Sequence, residues 1–283
     1  MKAKKSLGQN FLKSVLALNK IVEAGEVSQN DIILEIGPGK GTLTEKLLEK
    51  AGCVIAVEKD RNLFELLQNK FKKEIEGNPT SHKATNGRGK LILINDDILN
   101  FQLEPSGLAP SAYKVIANIP YNITGAILKK FLGNNPPAGG QPERMILLVQ
   151  NEVAKRIMAR DGKESILSIS VKAYGTPKTV MKVPARYFSP APKVDSAAIS
   201  IKNISRKIFT ENKLNEGQFW QIVRAGFAHK RKKVSSNLKQ YLKTLDGRQA
   251  SVQSVQLGNK RAEELTLRDW VNLAKSIDPD SRF

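Results

Sequence analysis

The sequence has few of the features that hold secreted or membrane proteins together. Its one cysteine, Cys53, has no partner for an internal disulfide, which points to a reducing, cytoplasmic setting. Cys53 opens the apolar run CVIAV, so it reads as a small core residue rather than a nucleophile. The only histidines, His82 and His229, lie far apart, which argues against a His/Cys metal site. No stretch reaches the ~20 consecutive apolar residues of a membrane helix. The N-terminal MKAKKSLGQNF carries charge without an apolar run behind it, so a secretory signal is not expected. Without secretion, the sequon Asn122-Ile123-Thr124 is accidental.

Acids are scarce as well: 27 Asp and Glu face 46 Lys and Arg, a formal charge of +19. Such a balance favours a polyanionic partner, nucleic acid before membrane surface. Its distribution says more than its size. Residues 1–22 hold five lysines and no acid, and Arg224 to Lys243 holds seven basic residues, again without an acid. A solvated surface accounts for one ordinary charge run. Two acid-free blocks at opposite ends of the chain favour an RNA or DNA footprint.

With 283 residues, 40% of them hydrophobic, the chain can bury a large core. Strand-like runs alternate with helical periodicity, the mark of an α/β sheet. Strands are predicted at 31–36, 53–58, 91–94, 113–117 and 145–149, with weaker candidates at 180–183 and 197–201. Helices are predicted at 42–50 and 62–75 and after the fourth and fifth strands. The polar, Gly-rich 76–90 and 133–142 read as loops. A charged linker over 204–217 leads to helices at 218–227, 235–245 and 267–274, with a short one near 257–265. The expected division is a sheet domain over 1–203 and a small α-helical C-terminal domain over 204–283.

Three strand ends carry candidate chemistry. Glu35-Ile36-Gly37-Pro38-Gly39-Lys40-Gly41 closes the first strand and opens a helix, where glycines admit close ligand approach and free N–H groups are on offer. The spacing is G-x-G-x-G, with Thr42 where a dinucleotide fingerprint places its third glycine, and no P-loop G-K-[ST] follows. A plain tight turn is the bland alternative. Glu58 ends the second strand, twenty-one residues after Gly37, where an acid accepts from ribose hydroxyls. After the third strand, Asn95-Asp96-Asp97-Ile98 offers a carboxylate for an adenine amine and an apolar neighbour for its ring. Together these describe an adenosine without pyrophosphate, which S-adenosylmethionine satisfies.

The fourth strand ends in VIANIPYNITG at Val115–Gly125. In a doubly wound sheet the first and fourth strands flank the topological switch point, so Asn118 belongs beside the Gly turn. Pro120 fixes the backbone and lacks an N–H, Asn118 adds a side-chain acceptor, and Tyr121 offers a flat face. An amine on an aromatic ring is a poor nucleophile because the ring delocalises its lone pair. Acceptors on its N–H bonds pull the nitrogen towards tetrahedral geometry, so positioning and electrostatics replace a strong base. Stacking on Tyr121 is worth about 1–3 kcal/mol, comparable to the cost of unstacking a base.

In these segments the chain resembles the ribosomal RNA adenine dimethyltransferases, most closely their small-subunit branch. The resemblance rests on SLGQNFL, LEIGPGKGTLT, AVEKD, NDDILNF, ANIPYNIT, FSPAPKVDSA and GFAHKRKKVSSNL, in order along nearly the whole chain. It implies a Rossmann-like class I S-adenosylmethionine-dependent methyltransferase sheet with the C-terminal helical domain. It further implies that Asn10, Leu12, Gly37, Gly39, Glu58, Asp97 and Asn118 contact the cofactor. Asp97 rather than Asp96 takes the role, because it stands in the Asp-Ile-Leu-x-Phe frame. By the same resemblance Asn118, Pro120 and Tyr121 form the catalytic stretch and Phe188 closes the other face of the adenine. Phe188's alternative is a loop aromatic covering the core. The basic patches, Lys230, Arg231, Lys232 and Lys233 among them, grip RNA. The implied substrate is a pair of adjacent adenines near the 3′ end of small-subunit rRNA, in free rRNA or the pre-assembled subunit, with the protein acting as a monomer.

Departures from the family's usual residues are Asn151, where a lysine is expected, and lengthened loops at 76–90 and 133–142. The rivals are a large-subunit rRNA methyltransferase, which Gly37-Pro38-Gly39 and Pro192–Ser196 disfavour, and a non-catalytic assembly factor on the same fold. A DNA adenine methylase fits the basic helical C-terminus less well.

Overall fold

The computed structural model describes residue 4 and residues 8–76, 90–102, 112–133, 136, 140–159, 162–243 and 259–277. A short β1 (Phe11–Leu12) pairs antiparallel with β8 (Phe188–Ser189). The main sheet contains β2 (Ile32–Ile36), β3 (Cys53–Glu58), β4 (Leu91–Asn95), β5 (Lys114–Asn118), β6 (Arg144–Gln150), β7 (Thr176–Val183) and β9 (Ser196–Lys202). Their order is β4-β3-β2-β5-β6-β9-β7. The first five neighbours are parallel, and β9 joins β6 and β7 antiparallel.

Every residue of β3 is buried, which explains why CVIAVE reads as a continuous apolar run rather than an alternating one. From β2 the chain builds outward through β3 and β4, then returns to place β5 on β2's other side. The carboxyl ends of β2 and β5 therefore diverge, opening a crevice at the switch point.

Helices α1 (Val15–Ala24), α2 (Thr42–Lys50), α3 (Arg61–Lys70), α4 (Lys72–Glu76), α5 (Thr124–Leu132) and α6 (Asn151–Met158) follow the strands. The helix expected over 62–75 is broken at Phe71, whose backbone leaves the helical region as its ring turns towards Gly41. Helix α1, which the sequence reading did not anticipate, starts on a Ser14 cap and packs against α2 and β7.

The chain divides into two compact units, Met1–Ala154 with Thr176–Ile204, and Lys155–Gly175 with Ser205–Phe283. Residues 155–175 thus group with the C-terminal residues rather than with the sheet that flanks them in sequence. Their α7 (Ile166–Lys172), not anticipated from sequence, begins on a Ser165–Ser168 capping box. It leads to Tyr174, which stacks on Trp220 and packs against Phe209. The second unit continues with α8 (Lys207–Glu211), α9 (Glu216–Gly226), α10 (Val234–Lys243) and α11 (Leu267–Ile277). The expected linker over 204–217 is corrected by α8, which forms because Phe209 is buried between Tyr174 and Phe219. A single 3-10 turn, Ala262–Glu264, stands where a short helix was expected near 257–265. Most of the 76–90 loop, His82 included, lies outside the described residues, as does part of 133–142.

No helix among the described residues is long and apolar enough to cross a membrane. Burial raises the Cys53 thiol to about 11, in keeping with an inert core residue.

Candidate active site

A pocket opens at the β2–β5 switch point, entirely within the first unit. The β2–α2 turn, the ends of β3, β4 and β5, and the strap Gly8–Leu12 line it. Gly37, Gly39 and Gly41 all take left-handed φ angles of 63°, 63° and 77°. The three serve different ends. A Cβ on Gly41 would stand 2.5 Å from the Phe71 ring, and one on Gly39 would meet Phe11 at 2.9 Å. At Gly37 a Cβ would meet nothing within 4 Å. Packing thus requires two of the glycines, while Gly37 faces space left for a ligand.

Glu58 is 6% exposed and holds this turn in place. Its Oε2 accepts from the Gly39 N–H at 3.0 Å and its Oε1 from the Asp60 N–H at 2.8 Å. Each oxygen keeps a lone pair able to accept a further donor. Burial raises the Glu58 pKa, with backbone N–H bonds from Asp60, Gly39 and Lys59 opposing. Glu35, at the end of β2, is fully buried and its Oε2 takes no hydrogen bond from the protein. Burial, reinforced by the Glu58 carboxylate, pushes it up to about 8.

At the tip of β4 both Asp96 and Asp97 line the pocket. The Lys59 ammonium, 2.7 Å away, holds Asp97 below the usual carboxylate range, and the Leu99 N–H donates to its other oxygen at 3.0 Å. Even with Glu35 protonated, the carboxylates Glu58, Asp96 and Asp97 outnumber the pocket's cations Lys40 and Lys59. On so basic a chain, that is a pocket for a cation-bearing ligand.

The strap is tied at four points. Lys4 and the Gln9 amide donate to Asp60 at 2.8 and 2.9 Å, and Asp60 also caps α3 through the Asn62 N–H. The Thr42 hydroxyl donates to the Leu12 carbonyl at 3.0 Å, and the Lys13 N–H donates to the Tyr187 carbonyl at 2.9 Å. The fourth tie fixes Asn118: its Nδ2 donates to the Asn10 carbonyl at 2.9 Å. The amide is thereby oriented with Oδ1 free to accept. Pro120, at φ −58° and ψ 132°, turns the chain into the 3-10 turn Tyr121–Ile123, and its carbonyl accepts from the Ile123 N–H at 3.2 Å. Half-buried Tyr121 lines the pocket and its hydroxyl meets Ser196 Oγ at 2.6 Å.

The fold thus brings together Asn10, Leu12, Gly37, Gly39, Glu58, Asp97, Asn118, Pro120 and Tyr121. Phe188 stands apart. It is 2% exposed, pairs with Leu12 and packs in the hydrophobic cluster rather than against the pocket. In the second unit Lys230, Arg231, Lys232 and Lys233 are all exposed. The turn before them is pinned by buried Asn237, whose Nδ2 donates to the Gly226 and His229 carbonyls at 2.6 and 3.1 Å. Sequence reasoning missed Asp60, Gln9 and Lys59. Their partners lie 38 to 56 positions away, so no local spacing signals them.

A family profile described as Ribosomal RNA adenine dimethylase matches residues 1–279. The chain belongs to that family. Its relatives include Ribosomal RNA small subunit methyltransferase A of Dehalococcoides mccartyi (strain CBDB1), 39% identical, with 96% of this chain and 88% of that protein covered. The protein of the same name from Thermosynechococcus vestitus is 38% identical, with 98% and 97% covered. A dimethyladenosine transferase structure from Plasmodium falciparum superposes with a TM-score of 0.73 at 25% identity, covering 93% of this chain and 95% of that one. The structure of the 23S rRNA methyltransferase ErmE shares the fold, with a TM-score of 0.68 at 22% identity, covering 95% and 99%. The family's fold, a class I S-adenosylmethionine-dependent methyltransferase sheet, is the one seen here.

The pocket fits S-adenosylmethionine. Its carboxylates suit a ligand with a sulfonium and an ammonium, and a Cβ at Gly37 would meet nothing within 4 Å, so the turn leaves room for a bound group.

Proposed function

We propose that the protein transfers methyl groups from S-adenosylmethionine to the exocyclic amines of two adjacent adenines near the 3′ end of small-subunit rRNA, dimethylating each. It works as a monomer in the cytoplasm, on the pre-assembled small subunit or its rRNA. The observation that carries the reading is the Asn10–Asn118 hydrogen bond, which commits Nδ2 and leaves Oδ1 as an acceptor beside the glycine turn.

Asn10, Leu12, Gly37, Gly39, Glu58 and Asp97 hold the cofactor, with Glu58 on the ribose and Asp97 at the adenine end. When bound, S-adenosylmethionine supplies an electrophilic methyl group on a sulfonium. Asn118 Oδ1 and a main-chain carbonyl of the Asn118–Pro120 turn accept the N–H bonds of the target amine, two in the first transfer and one in the second. That pulls the nitrogen towards tetrahedral geometry and turns its lone pair into the pocket. Tyr121 stacks on the flipped adenine, offsetting the cost of unstacking it. Lys230 to Lys233 neutralise RNA phosphates. Phe188, buried against Leu12, holds the strap in place and does not itself touch the adenine.

The test is to supply unmethylated small subunits, protein-free small-subunit rRNA and protein-free large-subunit rRNA, then map methylated adenines. Dimethylation of two adjacent adenines in small-subunit rRNA is expected. Activity confined to large-subunit rRNA would overturn the substrate assignment, and none on any RNA would favour a non-catalytic assembly role.

A further inference from the structure

The segment Pro192-Lys193-Val194-Asp195-Ser196 distinguishes this chain in sequence, yet nothing assigned so far uses it. We infer that Ser196 is a positioning residue that anchors the Tyr121 ring as the stacking platform for the target adenine. The inference rests on the reading of Tyr121 above.

Ser196 opens β9 opposite Gln150 of β6 and is completely buried. Its Oγ lies 2.6 Å from the Tyr121 hydroxyl, a contact between residues 75 positions apart. Tyr121 leaves β5 by way of Pro120, so its ring reaches past the end of β6 to touch β9. That contact ties the far end of the ring to β9. With it, both ends are held, because the Thr124 hydroxyl also donates to the Tyr121 carbonyl at 3.1 Å. A ring that lines the pocket and is held at its hydroxyl by a buried side chain suits a platform that must be rigid before the base arrives.

Asp195 keeps the anchor itself in place. Its carboxylate accepts from the Ala185 N–H at 3.0 Å and pairs with Lys182 at 2.8 Å, and its carbonyl accepts from the Asn151 N–H at 3.0 Å. The backbone at 195–196 is thus fixed from three directions, and Ser196 Oγ has little choice of position. Burial raises the Tyr121 pKa, with Ser196 opposing, so the hydroxyl stays protonated and able to donate.

The experiment is a double-mutant cycle of Ser196→Ala and Tyr121→Phe, read by single-turnover methylation of unmethylated small subunits, with 3-fluorotyrosine at position 121 observed by fluorine NMR. Each single variant removes the same hydrogen bond, worth roughly three- to tenfold in rate. The double variant is expected to be no slower than either single. S-adenosylmethionine affinity, measured by calorimetry, should stay unchanged. In Ser196→Ala the position-121 resonance should shift and narrow as the ring gains freedom. Multiplying rate losses in the cycle, or a resonance unaffected by Ser196→Ala, would overturn the anchor. Absence of wild-type methylation would instead count against the substrate reading and leave the resonance to decide the anchor.

Discussion

At the scale of single residues, carboxylates govern how the pocket responds to pH. Glu35 titrates near 4.5 in an unfolded chain and near 8 in the folded one. Between those values the folded protein keeps a proton that the unfolded chain has released, so raising the pH destabilises it across that window. Urea denaturation of the cofactor-free protein from pH 5 to pH 8 should therefore show falling stability, and Glu35→Gln should flatten the fall. An unchanged slope in the variant would place the burden elsewhere. Phe188 makes a different case: buried against Leu12, its truncation to Ala should cost about 3–5 kcal/mol of stability. The milder Phe188→Leu separates the roles: methylation should track the small stability loss, whereas a large rate loss in a well-folded variant would put the ring on the adenine itself.

At the scale of elements, the β2–α2 turn divides its glycines between packing and binding. Gly41→Ala drives a Cβ into the Phe71 ring at 2.5 Å in addition to a left-handed φ, so thermal melts should show a clear drop. Gly37→Ala carries only the backbone strain, about 1–2 kcal/mol. Its larger effect should be on S-adenosylmethionine affinity, since its Cβ points into open pocket; calorimetry showing wild-type affinity would contradict that. The sequence made the sheet and this turn legible because buried parallel strands read as apolar runs and glycines punctuate their ends. Asn118 and Glu58 could be placed because each ends a strand, whereas Asp97 is told from Asp96 only by the family's Asp-Ile-Leu-x-Phe frame. The strap's ties to Asp60, the Asn10–Asn118 bond and the Tyr121–Ser196 contact could not, because each joins distant residues through a single hydrogen bond. Helix α8 stayed hidden for a related reason. Its five residues are too few to show a period, and what forms it is an aromatic cluster drawn from three segments.

At the scale of the whole molecule, acid-lined pocket and basic chain serve different charges. The carboxylates line the first unit's pocket and suit a cationic cofactor, while the exposed Lys230–Lys233 run belongs to the second. Neutralising these four cations should weaken RNA binding. It should also reduce the salt dependence by up to ~0.7 in log–log slope for each phosphate left without its cation, if the RNA there is single-stranded. Cofactor affinity should not change. Equilibrium binding over a salt series checks this, and an unaltered slope would return the run to ordinary solvated surface. In the proposed mechanism, however, an oriented amide, that of Asn118, supports the methyl transfer without a strong base. Its most direct test is the single-turnover rate of Asn118→Ala on unmethylated small subunits, with folding and RNA affinity measured on the same preparation. The rate should fall roughly a hundredfold or more, the scale of removing an oriented polar group from an active site, with both controls near wild type. Near-normal turnover by that variant would contradict the mechanism.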